Sequence, residues 1–97
     1  MDEAPQHVLR TVGDDVSFRF CTGHEARSLN EFHEHLARLD EEAFRHHANE
    51  ERNDFSAWVH EVVGDERLAR DLKDATQEQA LALLKARLTF LTETLSE

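Results

Sequence analysis

From residue 28 onward, apolar side chains fall mostly three and four positions apart, the spacing of helices that bury one face. Leu29, Phe32, Leu36 and Leu39 form the first stripe, and Ser28 with Glu31 three residues later is a capping box that satisfies two orphan amides. Asp40 stands where the N-cap of a second, short helix belongs, one carrying Ala43, Phe44 and His47 before the polar run HANEERN, which reads as a loop. Asp54 is the expected N-cap of a third helix, with Phe55, Trp58, Val59, Val62 and Val63 on its apolar face. Gly64 suits the left-handed residue that ends such a helix, and Asp65 caps a fourth at once, burying Leu68, Ala69 and Leu72. Those two helices must turn sharply. Thr76 and Gln79 repeat the capping-box spacing ahead of the longest segment, from Gln77 to Leu95, which spans roughly 29 Å at a rise of about 1.5 Å per residue.

The pattern differs over residues 7–21. Val16, Phe18 and Phe20 alternate with Ser17, Arg19 and Cys21, the period of a half-buried strand. Two readings stay open: a hairpin closed by Gly13-Asp14 that pairs this strand with Val8–Val12, or an extended arm that tucks Phe18 and Phe20 into the core. Residues 1–6 are expected to be a disordered tail and residues 28–95 to be helical. At 97 residues, with no repeat and no internal proline-rich linker, the chain should form one domain around one core. The expected fold is therefore mainly α, a compact bundle of about five helices with a short N-terminal extended segment or β-hairpin.

The last helix carries more apolar surface than an edge helix needs. One row holds Leu81, Leu84, Leu88, Leu91 and Leu95, and a second adds Leu83 and Phe90. Such a helix either threads the middle of the bundle or meets a second copy. The expected self-association surface is Leu84, Leu88, Phe90, Leu91 and Leu95, and a homodimer or a complex with another protein follows from it.

Charge narrows the partners. Twenty-one Asp and Glu against eleven Lys and Arg leave a net charge of −10, and nine of the eleven cations are arginine; Ile and Tyr are absent. Repulsion on this scale is relieved by screening, and at about 1 M salt the Debye length is only about 3 Å. The composition points to a halophile with a GC-rich genome. No cluster of Lys and Arg is present to neutralise phosphates, so neither nucleic acid nor an anionic membrane is an expected partner. No run approaches the ~18 apolar residues of a membrane span, no signal sequence opens the chain, and Cys21 stands alone, which makes the cytoplasm the expected compartment.

Seven histidines invite a metal site, yet His33 and His35 project about 200° apart on a helix and His46 and His47 are adjacent, so neither pair chelates by itself. His24, His47 and His60, with Cys21, would have to converge from different elements. No G-x-S-x-G elbow, phosphate-binding glycine loop or H-E-x-x-H motif accompanies Cys21 or Ser56, and no cofactor is expected. One constellation is worth following: His47, Asp54 and Trp58, which a returning loop would bring together as a small polar pocket beside an indole. The structural alternative is that His47 ties down the loop, Asp54 caps its helix and Trp58 anchors the core.

The pieces FRFCTGHEARSLNEFHEHL, FRHH and NDFSAWVHEVVGDERLARDL, covering residues 16–72, resemble small haloarchaeal proteins grouped as domain of unknown function 5752. The matching positions are Phe18, Phe20, Ser28, Leu29, Phe32, His47, Asp54, Phe55, Trp58, Gly64 and Asp65. The resemblance implies a halophilic habitat and an interaction or regulatory role, and it implies no activity. The residues and the resemblance together lead to a non-catalytic protein-interaction or regulatory module; the alternative is a metal-binding or metal-dependent protein using histidines and Cys21.

Overall fold

The computed structural model of this chain describes residues 5–96. In order, these form α1 (Pro5–Leu9), a 3-10 turn (Asp14–Val16), β1 (Phe18–Arg19), β2 (Glu25–Ala26), α2 (Leu29–Ala37), α3 (Glu41–His47), α4 (Asp54–Trp58, continued by a π-helical turn, Val59–Val63), α5 (Glu66–Leu72) and α6 (Gln77–Ser96). The fold is mainly α, with a small antiparallel hairpin near its N-terminal end.

The expected caps form at most helix starts. The Ser28 hydroxyl accepts the Glu31 amide at 3.2 Å, Asp40 accepts that of Ala43 at 2.8 Å, and Asp65 that of Leu68 at 3.1 Å. Thr76 and Gln79 exchange both bonds of the capping box, at 3.1 and 3.0 Å. At α2 the return bond falls one residue early, on the Arg27 amide, at 2.9 Å. At α4 the expected cap is corrected: Asn53, not Asp54, accepts the Ser56 amide, at 3.0 Å, because the Asp54 carboxylate is drawn to His47. Gly64 does adopt the left-handed conformation, φ 86°, so its amide reaches back to the Val59 carbonyl at 2.8 Å and closes the π turn.

The N-terminal region contains the expected hairpin and tucks Phe18 and Phe20 into the core, but the strand pairing differs from the expected one. Residues 1–4 of the expected tail lie outside the described residues, while Pro5 and Gln6 begin α1. Val8 is fully buried there, and the expected strand over Val8–Val12 does not form. The hairpin instead joins Phe18–Arg19 to Glu25–Ala26, pairing Phe18 with Ala26 and Arg19 with Glu25. Its turn runs through Gly23, at φ 98°, and Gly13-Asp14 lead into the 3-10 turn. Of the three alternating residues, Phe18 and Phe20 are buried, but Val16 is exposed because the strand starts only after it.

The buried side chains make one contiguous cluster that draws on α1, the hairpin and all the later helices. Phe18 lies among the rings of Phe20, Phe32, Phe55, His47 and Trp58, at centroid separations of 4.7 to 5.9 Å. Helix α6 packs along α2, α1 and α5. Three side chains splice neighbouring helices by capping the carbonyl ends that a helix leaves unpaired. Arg10 donates to the Val62 and Val63 carbonyls at the end of α4, at 2.5 and 3.2 Å, a cation at the negative pole of the helix. The Asn53 amide donates to Leu72 and Lys73 at the end of α5, at 3.0 Å each, and Gln77 donates to Leu36 and Leu39 at the end of α2, at 3.1 and 2.7 Å. No helix among the described residues is long and apolar enough to cross a membrane.

Candidate functional site

His47 and Asp54 do come together. His47 Nδ1 lies 3.1 Å from Asp54 Oδ2, and Arg52 Nε lies 3.5 Å from the other carboxylate oxygen. The Cys21 backbone N–H donates to His47 Nε2 at 2.9 Å. That amide has a proton to give, so Nε2 is the unprotonated nitrogen and Nδ1 carries the hydrogen that Asp54 accepts. Arg52, Asp54, His47 and the Cys21 amide thus form a chain of contacts that fastens the hairpin turn to α3 and to the start of α4.

Cysteine, histidine and aspartate in this order resemble a nucleophile, base and orienting acid, but the wrong atom of Cys21 meets the imidazole. A general base must reach the proton that it removes, whereas Nε2 is already occupied by a backbone amide. The thiol lies instead 3.9 Å from the Ala43 carbonyl oxygen. The arrangement holds a loop.

Trp58, the third member of the constellation, belongs to the core beside this chain. Its indole N–H donates to the Val16 carbonyl at 2.8 Å, its ring stacks on Phe32 at 5.1 Å, and the Phe18 ring meets it edge-on at 5.9 Å. His47 is buried and Asp54 half-buried, so the pair forms a clasp, with the buried Trp58 in the core beside it.

Of the other histidines, the adjacent His46 meets the His47 ring edge-on at 5.1 Å, while His24 and His60, the two expected to join it, do not. His24 and His35 stack on each other at 5.0 Å, and His60, exposed on the π turn, has Nε2 3.9 Å from a Glu66 carboxylate oxygen. Among the described residues no three of His, Cys, Asp and Glu gather in a way that would hold a metal ion, so the set of His24, His47 and His60 with Cys21 is not assembled. The physical reason is visible at His47, whose two ring nitrogens both have protein partners.

The five residues of the expected self-association surface separate on the structure. Leu84 and Leu91 are fully buried in the chain's own core, and Leu88 is half-buried against it. The side chain of Leu95 lies outside the described residues. Of the four described, Phe90 alone is well exposed, at 58%. It stands at one end of a groove between α5 and α6, in a hollow of about 240 Å³ shared with Arg67, Asp71, Leu83, Ala86 and Arg87. The groove continues into a second hollow of about 470 Å³ lined by Asp71, Asp74, Ala75, Ala82, Leu83 and Ala86. Ala82 and Ala86 give this floor its depth, a signal that the sequence carried but that the leucine rows obscured. Arg87 at the groove wall is anchored by the buried Asp65 carboxylate at 2.6 Å and lies 5.8 Å over the Phe90 ring.

Fold and geometry define a small helical protein with a buried polar clasp and an open apolar groove. The chain belongs to the family of unknown function DUF5752, whose pattern matches residues 11–97, beyond the residues 16–72 that carry the resemblance. No curated protein and no solved structure matches it.

Proposed function

We propose that this chain is a protein-interaction module that acts without catalysis, and that its docking surface is the groove between α5 and α6. The observation that carries this reading is Phe90, a large aromatic side chain 58% exposed at the mouth of a groove floored by Ala82, Leu83 and Ala86. Aromatic residues concentrate at the centres of interfaces, where they fill a partner's pocket and lose their water. An exposed apolar patch with a charged rim of Arg67, Asp71 and Asp74 has that anatomy. The net charge of −10 supports a setting of concentrated salt, where the self-repulsion of the chain is screened and apolar docking persists.

The test compares the proteins bound, in concentrated KCl, by the parent chain and by two variants. Phe90→Asp should lose a stoichiometric partner, whether a further copy or another polypeptide, whereas Val16→Asp, at the other exposed large apolar residue among those described, should keep it. Identical bound proteins in all three samples would refute the docking surface.

A further inference from the structure

We infer that the occupant of the groove is a second copy of this chain, docked with its own α5–α6 hairpin antiparallel to the first across a two-fold axis that passes beside Ala86. This inference rests on the docking reading above and names the partner. A two-fold interface must be self-complementary, each patch offering what the same patch on the other copy requires. The groove meets that condition in shape. Phe90 projects at one end, while the other end is floored by the small side chains of Ala82 and Ala75. When two such helices run antiparallel about residue 86, position 90 of each lies opposite position 82 of the other. Each aromatic ring then sits over the hollow of its partner, and α5 and α6 of the two copies make a four-helix layer.

The groove meets the same condition in charge. Arg67 lies at the Phe90 end, Asp74 lies at the opposite end beside Gln79, and Asp71 borders both hollows. The patch is therefore cationic at one end and acidic at the other. The two-fold operation that pairs Phe90 with Ala82 also sets Arg67 of α5 against Asp74 and Asp71 of the other copy's α5. All three side chains are exposed, and among the described residues none of them enters an ion pair within its own chain. A parallel docking would set like charges against each other, which disfavours it. An unrelated basic partner would satisfy Asp71 and Asp74 but would leave Arg67 facing a cation; a second copy satisfies both ends.

Sedimentation equilibrium tests the arrangement at the lowest KCl concentration at which circular dichroism shows each variant folded. The parent chain should be a dimer. Arg67→Glu alone sets acid against acid, the double variant Asp71→Arg, Asp74→Arg sets cation against cation, and each should weaken self-association at least tenfold. An equimolar mixture of these two preparations should dimerise again as a one-to-one heterodimer, because both contacts across its axis are then attractive. A mixture that stays monomeric, or variants that dimerise as well as the parent, would overturn the antiparallel register. A parent chain that is monomeric at its highest attainable concentration would overturn the second copy while leaving the docking surface to its own test, and a dimer that survives Phe90→Asp would overturn both.

Discussion

Four polar side chains are buried among the described residues, Ser28, His47, Ser56 and Asp65, and each has a partner that explains its burial. Ser28 caps α2, and Ser56 donates to the Ala69 carbonyl at 2.6 Å, joining α4 to α5. Asp65, only 3% exposed, has one oxygen on the Leu68 amide and the other on Arg87. An ionised carboxylate is tolerated in such a place only while it is paired, so Arg87→Met should lower the unfolding free energy by about 2 to 3 kcal/mol, read from urea melts. His47→Ala strands the Cys21 amide and the Asp54 carboxylate together, a loss of about 2 to 3 kcal/mol on the same scale. Cys21→Ala, by contrast, should change stability by no more than about 0.5 kcal/mol, because only its backbone serves the clasp. A large loss there would show that the thiol has a role that the geometry does not give it. Trp58→Ala should cost about 3 to 5 kcal/mol, and Trp58→Phe, which mainly gives up the bond to Val16, about 1 to 2 kcal/mol.

The caps and corners of the elements explain which parts of the fold could be foreseen. The Gly64-Asp65 corner was legible because only one residue type enters the left-handed region without strain and because an acid directly after it has an amide to cap. Gly64→Ala should therefore destabilise by about 1 to 2 kcal/mol in thermal melts, despite the better helix propensity of alanine. Asn53 and Asp54 are both competent caps, and nothing local chooses between them; the choice is made by His47, seven residues earlier, through a tertiary contact. Helix α1 was not legible because five residues with Val8 as the buried anchor carry no period. The strand partner Glu25–Ala26 is two residues long and carries none either. In α6 the apolar rows were legible but their assignment was not. Leu84, Leu91 and Phe90 sit in the same heptads, and only the positions of α2, α1 and α5 decide that the leucines turn inward and the phenylalanine outward. The clasp was half-legible for the same reason, since HH before NEERND announced a contact to the loop while the Cys21 amide gave no sign in sequence.

At the scale of the molecule, the net charge of −10 and the apolar core act against each other. Surface carboxylates repel across the described chain, whose radius of gyration of 12.6 Å is comparable with the Debye length of about 10 Å that applies at 0.1 M salt and well beyond the ~3 Å that applies at 1 M. The melting temperature should accordingly rise between about 0.1 and about 2 M KCl as screening strengthens. An unmoved melting temperature would separate the acidic composition from stability. The ion pairs that tie the hairpin region together, Arg27 with Asp14 and Glu25, are exposed and contribute little to this balance. Stability rests on the ring cluster around Phe18, and Phe90 stands apart from it. That division, core residues inside and one aromatic left out for a partner, is the central claim. It is tested most directly by scanning calorimetry of the parent chain and of Phe90→Asp over a protein dilution series in concentrated KCl. The account predicts a parent melting temperature that falls on dilution until it meets that of the variant, which stays constant throughout, because association stabilises only the folded state. A variant that melts below the parent at every dilution, or a parent whose melting temperature ignores concentration, would contradict it.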